Sequence, residues 1–135
     1  MPIIFDVVSQ ISTSDNIGTN IVNDYEYQGG EYYFNNYLNR KFAGFSKIIK
    51  TDSMGNKTIN YYHQGNGTNS ANGEYDDHIS KIGKIYRTEL TDSSGNIYSK
   101  TINKWDKYNI GTDHNFVKLV QTIDLTYDGD SDHKD

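Results

Sequence analysis

Glu74, Asp76, Asp77 and His78 fall within one short run of the chain. Carboxylates beside an imidazole are the residue types of general acid–base catalysis, because each can hold or release a proton near neutral pH once its surroundings shift it. The same side chains have a structural use: carboxylate and amide oxygens take up backbone N–H groups and hold irregular loops. Residue type alone leaves both readings open. Just upstream, residues 64–73 contain one apolar residue, Ala71, among Gly, Asn, Gln, Ser and Thr. Asn66, Asn69 and Asn72 would be partners in a loop-holding network, with Gly65, Gly67 and Gly73 supplying backbone freedom.

Metal chemistry has thinner support. The four histidines, His63, His78, His114 and His133, never show the i, i+4 spacing of a helical zinc site. The chain has no Cys, which excludes disulfide frameworks and thiolate zinc sites. Asp128, Asp130 and Asp132 place carboxylates at alternate positions, a weak calcium candidate. The sixth position of an EF-hand loop would be His133 instead of Gly, so a solvated acidic tail is the favoured reading. No Gly-x-Ser-x-Gly, P-loop or dinucleotide fingerprint occurs, and no cofactor is expected.

The elements that would position these residues read as strands. The composition is 34% hydrophobic, low for a globular domain, but twelve tyrosines add rings that bury area while keeping a hydroxyl wet. A net charge of −5 without any basic run argues against a nucleic-acid partner. No apolar run approaches the roughly 20 residues of a membrane helix, so no membrane span is expected.

Along the chain, Ile3 to Val8 suggests one short strand followed by a linker. Ile21 to Tyr27 is a second strand, turned by Gln28-Gly29-Gly30, with Tyr32-Tyr33-Phe34 pairing back and residues 35–40 as an irregular connection. Residues 42–51, 57–63, 85–91 and 97–105 follow as strands, residues 106–115 as a turn-rich connection, and the alternation from Val117 to Tyr127 as a last strand. Residues 74–82 hold at most one short helix, stopped by Gly83. The turn Thr51-Asp52-Ser53-x-Gly55-Asn56 recurs as Thr91-Asp92-Ser93-x-Gly95-Asn96, 40 residues later. Two copies of one hairpin predict an all-β fold, an antiparallel meander in which each unit needs neighbours.

These motifs, in their order, resemble a known family. His63-Gln64-Gly65-Asn66-Gly67, then Gly73-Glu74-Tyr75-Asp76-Asp77-His78, then Ser80-Lys81-Ile82-Gly83 and Tyr86-Arg87, are similar to the middle region of the B component of bacterial insecticidal toxin complexes. Rhs-repeat and virulence-plasmid-type proteins carry the same region. Tyr25-x-Tyr27-x-x-Gly30-x-Tyr32 and Arg40-Lys41-Phe42-Ala43-Gly44-Phe45 resemble its entry, with Ala43 where Arg is common. The resemblance covers residues 25–130, leaving 1–24 as an N-terminal strand and linker and 131–135 as a polar tail.

The resemblance implies a structural role: a segment of a hollow shell of Rhs-like strand–turn–strand sheet that encloses a toxic effector, with no catalysis of its own. It implies as partners the remaining parts of an Rhs-type shell or a toxin-complex C component. It also implies a secreted or cell-surface associated bacterial protein, here without a visible signal peptide. Because the resemblance is to a scaffold, the loop-holding reading of residues 74–78 is preferred. The alternative is a free-standing β-sheet binding module for carbohydrate or protein, using Tyr32, Tyr33, Tyr37, Tyr61, Tyr62 and Trp105 as a platform.

Overall fold

The computed structural model describes residues 4–112 and 114–132. Seven antiparallel strands form a single meander sheet in sequence order. They are β1 (Gln10–Ser14), β2 (Asn20–Asn36), β3 (Asn39–Thr51), β4 (Lys57–Tyr62), β5 (Ile85–Thr91), β6 (Ile97–Gly111) and β7 (His114–Thr126). The only helical pieces among the described residues are 3₁₀ turns at Ser70–Asn72 and Ile79–Lys81, both between β4 and β5. The all-β meander is therefore as expected. No helix of the described residues is long and apolar enough to cross a membrane.

The repeated turns are chemically the same. In the first, the Asp52 carboxylate accepts from the N–H groups of Met54 (2.8 Å) and Asn56 (2.9 Å) and from the Asn56 amide (3.1 Å). In the second, Asp92 accepts from Ser94, Asn96 and the Asn96 amide at 2.8, 2.9 and 2.8 Å. Gly55 and Gly95 take positive φ, 86° and 90°, as a turn closed by a glycine requires. The Asn side chain and backbone donors hold both carboxyls below the usual Asp range. The second return strand has gained a residue: Thr91 pairs with Ile97 but Leu90 with Ser99, leaving Tyr98 as a bulge.

Several strand limits differ from the sequence reading. Residues 4–9 are not a strand; β1 begins at Gln10, in the polar stretch read as a linker. β2 runs straight through Gly29 and Gly30, and its turn falls at Tyr37 and Leu38 between paired Asn36 and Asn39. β6 extends to Gly111, across the stretch read as a connection. The cause is common to all three. These segments are mostly exposed, so no buried face imposes an apolar alternation on them. In β7, Ile123 and Leu125 stand opposite Ile102 and Lys100. A bulge between Lys104 and Trp105 then shifts the phase, so Leu119 and Val117 stand opposite Trp105 and Lys107. That bulge is why Gln121 and Val120 break the alternation.

β2–β3 and β6–β7 continue beyond β4 and β5 as two hairpin arms at one end of the sheet. Residues 63–84 occupy the space between them. Elsewhere the sheet is nearly a single layer. Ala43, Tyr86 and Tyr127 are the buried apolar residues among those described, and the accessible surface is 9114 Å², against about 7,200 Å² for a compact monomer of this mass.

Candidate functional site

The residues singled out by sequence converge on the connection between β4 and β5. Its centre is Asp77, whose side chain is fully buried. One carboxylate oxygen accepts from the Gly65 N–H at 3.0 Å, and the other from Asn66 (2.9 Å) and Gly67 (3.1 Å). His63 Nδ1 stands 3.0 Å from the first oxygen. In return, the Asp77 N–H donates to the Thr68 hydroxyl at 2.9 Å. Burial works against this carboxylate, but the His63 and amide hydrogen bonds outweigh it and hold its pKa below the ordinary value. A glycine-rich run is needed here because three successive N–H groups must point at one anion, and Gly65 and Gly67 both take positive φ.

His63, 1% exposed, extends β4 by donating its N–H to the Lys84 carbonyl and accepting from Gly83. A carboxylate only accepts, so Nδ1 carries the proton. Nε2 is buried without a hydrogen-bond partner among the described residues. Glu74 Oε1 lies 3.6 Å from the same Nδ1. Burial and the Asp77 charge raise the Glu74 carboxyl, with His63 opposing. Tyr86, whose ring packs 5.2 Å from the His63 ring, is pushed up to about 12 by burial and the Glu74 charge.

Further ties fasten the connection to the sheet and to one arm. The buried Gln64 amide donates to the carbonyls of Gly29 (2.6 Å) and Gly44 (3.0 Å), locking the loop to the β2–β3 arm. Gly73 presses on β6: a Cβ there would sit 2.9 Å from Ile102 Cγ2. Lys81, completely buried, donates to the Tyr75 carbonyl at 3.1 Å and to Asp76 at 3.3 Å. Ser80 and His78 bond to each other and start the second 3₁₀ turn, which Gly83 follows at φ 82°. On the sheet, a bulge sets both Tyr86 and Arg87 opposite Tyr61. Arg87 then reaches up to Asn72 Oδ1 at 3.1 Å, stacks over the Tyr61 ring at 4.5 Å, and bonds Glu89 through Nε at 3.0 Å. Glu89 also accepts from the Tyr61 hydroxyl and faces Lys100.

The sequence grouping of Glu74, Asp76, Asp77 and His78 is thus divided. Glu74 and Asp77 join His63, while Asp76 is exposed at positive φ and His78 caps a turn. Asp77, which the sequence left level with its neighbours, is the centre of the network, and Glu89 joins it from β5. A carboxylate 10–12 residues after a Gly-Asn-Gly run was the available signal for the first; nothing marked the second.

His63, Glu74 and Asp77 offer ligand atoms within 4.8 Å of one another, a spacing that could hold a metal ion. The donor chemistry fits poorly. Asp77 is already saturated by amides, and coordination through Nδ1 would move the His63 proton to Nε2, where no acceptor stands. The weak calcium residues fold onto their own backbone: Asp128 accepts from the Asp130 N–H (3.2 Å), and Asp130 from Asp132 (3.0 Å). His133 lies outside the described residues.

The aromatic platform is not assembled. Tyr32, Tyr33 and Tyr37 sit on the β2 strand and its turn, and Trp105 on β6, four strands or about 19 Å away. Trp105 Nε1 donates to the Ile85 carbonyl at 2.9 Å, and Tyr61 lies under Arg87. No protein-family model, curated protein or solved structure matches this chain.

Proposed function

We propose that the chain is a structural segment of a toxin-complex or Rhs-type shell, a wall element that helps enclose an effector and carries no catalysis of its own. The observation that supports this reading is the open sheet. Seven strands lie in one layer with the short β1 and the long β7 at its edges, 9114 Å² is accessible, and the buried polar cluster is spent on closing a loop. A sheet of this kind gains from neighbours that add strands and cover its faces. Partners of matching chemistry are further strand–turn–strand units, as in the remaining shell or a C component. The test is a thermal melt followed by circular dichroism and light scattering together. A broad transition that coincides with strand-rich association is expected; a sharp melt of a monodisperse monomer overturns the reading.

A further inference from the structure

β7 closes the sheet on the side away from β1, and among the described residues no strand pairs with its outer side. Residues 121–126 are its regular stretch. They pair with β6 in one unbroken register, from Gln121 opposite Lys104 to Thr126 opposite Ser99, and the bulge lies beyond them. Just after the strand, the Tyr127 N–H donates inward to the Tyr98 carbonyl at 2.9 Å. Backbone polar groups alternate sides along a strand, so those of Leu125, Ile123 and Gln121 also point to β6, and those of Thr126, Asp124 and Thr122 point to the open side. The side chains sort by face. Ile123 and Leu125 stand opposite Ile102 and Lys100. On the other face, Thr122 bonds Asn103 at 3.0 Å and Asp124 bonds Thr101 at 2.7 Å.

This stretch is complementary to itself. Laid antiparallel on a second copy about a two-fold axis through Ile123, Thr122 of each chain faces Asp124 of the other, and their outward N–H and C=O groups meet in pairs. On the opposite face Ile123 meets its own counterpart, and Gln121 meets Leu125. Asp124 selects this register over its neighbours. Moving the axis to Asp124 would set two carboxylates against each other, and moving it to Thr122 would set Asp124 against the apolar Val120. Charge along the edge favours the same arrangement. Lys118 precedes the stretch, and Asp128, Asp130 and Asp132 follow it, so antiparallel pairing brings the acidic end of each copy to the lysine of the other. The edge formed by β1 offers no such match, because Gln10–Ser14 carries no charge.

We propose that the outer edge of β7 at residues 121–126 is a self-recognition edge, joining two copies of the chain through an antiparallel β7–β7 pair centred on Ile123. The site stands on this register and does not depend on the shell reading. The chain has no Cys, so single-cysteine variants report the register by disulfide trapping under mild oxidation. At the axis the two Ile123 Cα atoms form a non-hydrogen-bonded pair about 4.5 Å apart, within disulfide reach. Gln121 and Leu125 each lie about 14 Å from their own counterparts. Ile123→Cys is therefore expected to form the covalent dimer roughly ten-fold faster than Gln121→Cys or Leu125→Cys alone. An equimolar mixture of Gln121→Cys and Leu125→Cys is expected to give the mixed dimer, identified by mass, because this register sets the two positions opposite each other. Equal rates at the three positions, a mixture that yields only self-dimers, or no dimer from folded variants overturns the proposal. Association without this pattern would also overturn it, while leaving the shell reading standing. Should Ile123→Cys lose its strand signal, the mixture decides. Thr122→Pro added to both chains of the mixture removes an outward N–H and spares the β6 ladder, so mixed-dimer formation is expected to slow roughly ten-fold; an unchanged rate contradicts the proposal.

Discussion

The His63 imidazole and the Asp77 carboxylate lie 14 residues apart in sequence and 3.0 Å apart in space, and their bond closes the glycine-rich connection between β4 and β5. Around it, three backbone amides converge on the same carboxylate. The network makes a loop into a rigid wedge between two hairpin arms.

Replacing the anion should therefore cost more than an ordinary polar substitution. Asp77→Ala is expected to lower stability by about 3 kcal/mol, because three amide donors and the His63 N–H are left buried or rearranged. Asp77→Asn should cost about 2 kcal/mol, since its NH₂ faces donors on one side. Urea unfolding followed by circular dichroism measures both, and a loss under about 0.5 kcal/mol for the alanine variant would contradict the role given to Asp77.

How much of this could be seen beforehand depends on what each residue had to satisfy. The repeated Asp-x-x-Gly-Asn turns were legible because turn geometry is local and uses fixed residue types. β7 was legible where Ile123 and Leu125 alternate, and not where the bulge at Lys104 shifts the phase. The arms were obscured because exposure on both faces removes the apolar period. At the site, the sequence pointed to the right stretch but did not separate Asp77 from Asp76 beside it. Which carboxylate turns inward is decided by the Asp76 backbone, at φ 47°, and nothing in residue type announces that.

Gln64 should act on the arm more than on the whole. With its two bonds to Gly29 and Gly44 removed, Gln64→Leu is expected to speed amide hydrogen exchange in residues 28–46 at least ten-fold, with β5 and β6 little changed. Uniform acceleration across the sheet would show that the contact is not local to the arm.

The pH dependence carries two opposite signs. Asp77 has a folded pKa below its ordinary 3.8, so its stabilisation is complete above that value and is lost as pH falls through the lowered one. Glu74 has a folded pKa raised above 4.5, so its contribution is complete below 4.5 and is lost as pH rises through the raised value. Mild acidification toward pH 4.5 should thus strengthen the fold through Glu74. Glu74→Gln should abolish that gain and be more stable than the unaltered chain at pH 7. Parallel urea midpoints for the two chains from pH 7 to 4.5 would contradict the assignment.

Gly29 admits no side chain. A Cβ there would lie 2.1 Å from Ser46 Oγ, and φ is 62°. Gly29→Ala is expected to cost about 2 kcal/mol. Adding Ser46→Gly should restore only part of it, because the clash is relieved and the left-handed backbone is not. Full rescue would mean the positive φ carries no cost.

The central claim is that this sheet is built to be continued by neighbours, and sedimentation velocity across a hundred-fold range of concentration tests it most directly. The account predicts a weight-average sedimentation coefficient that rises with concentration as strand edges pair. A single monomeric boundary that stays constant over the whole range would contradict it.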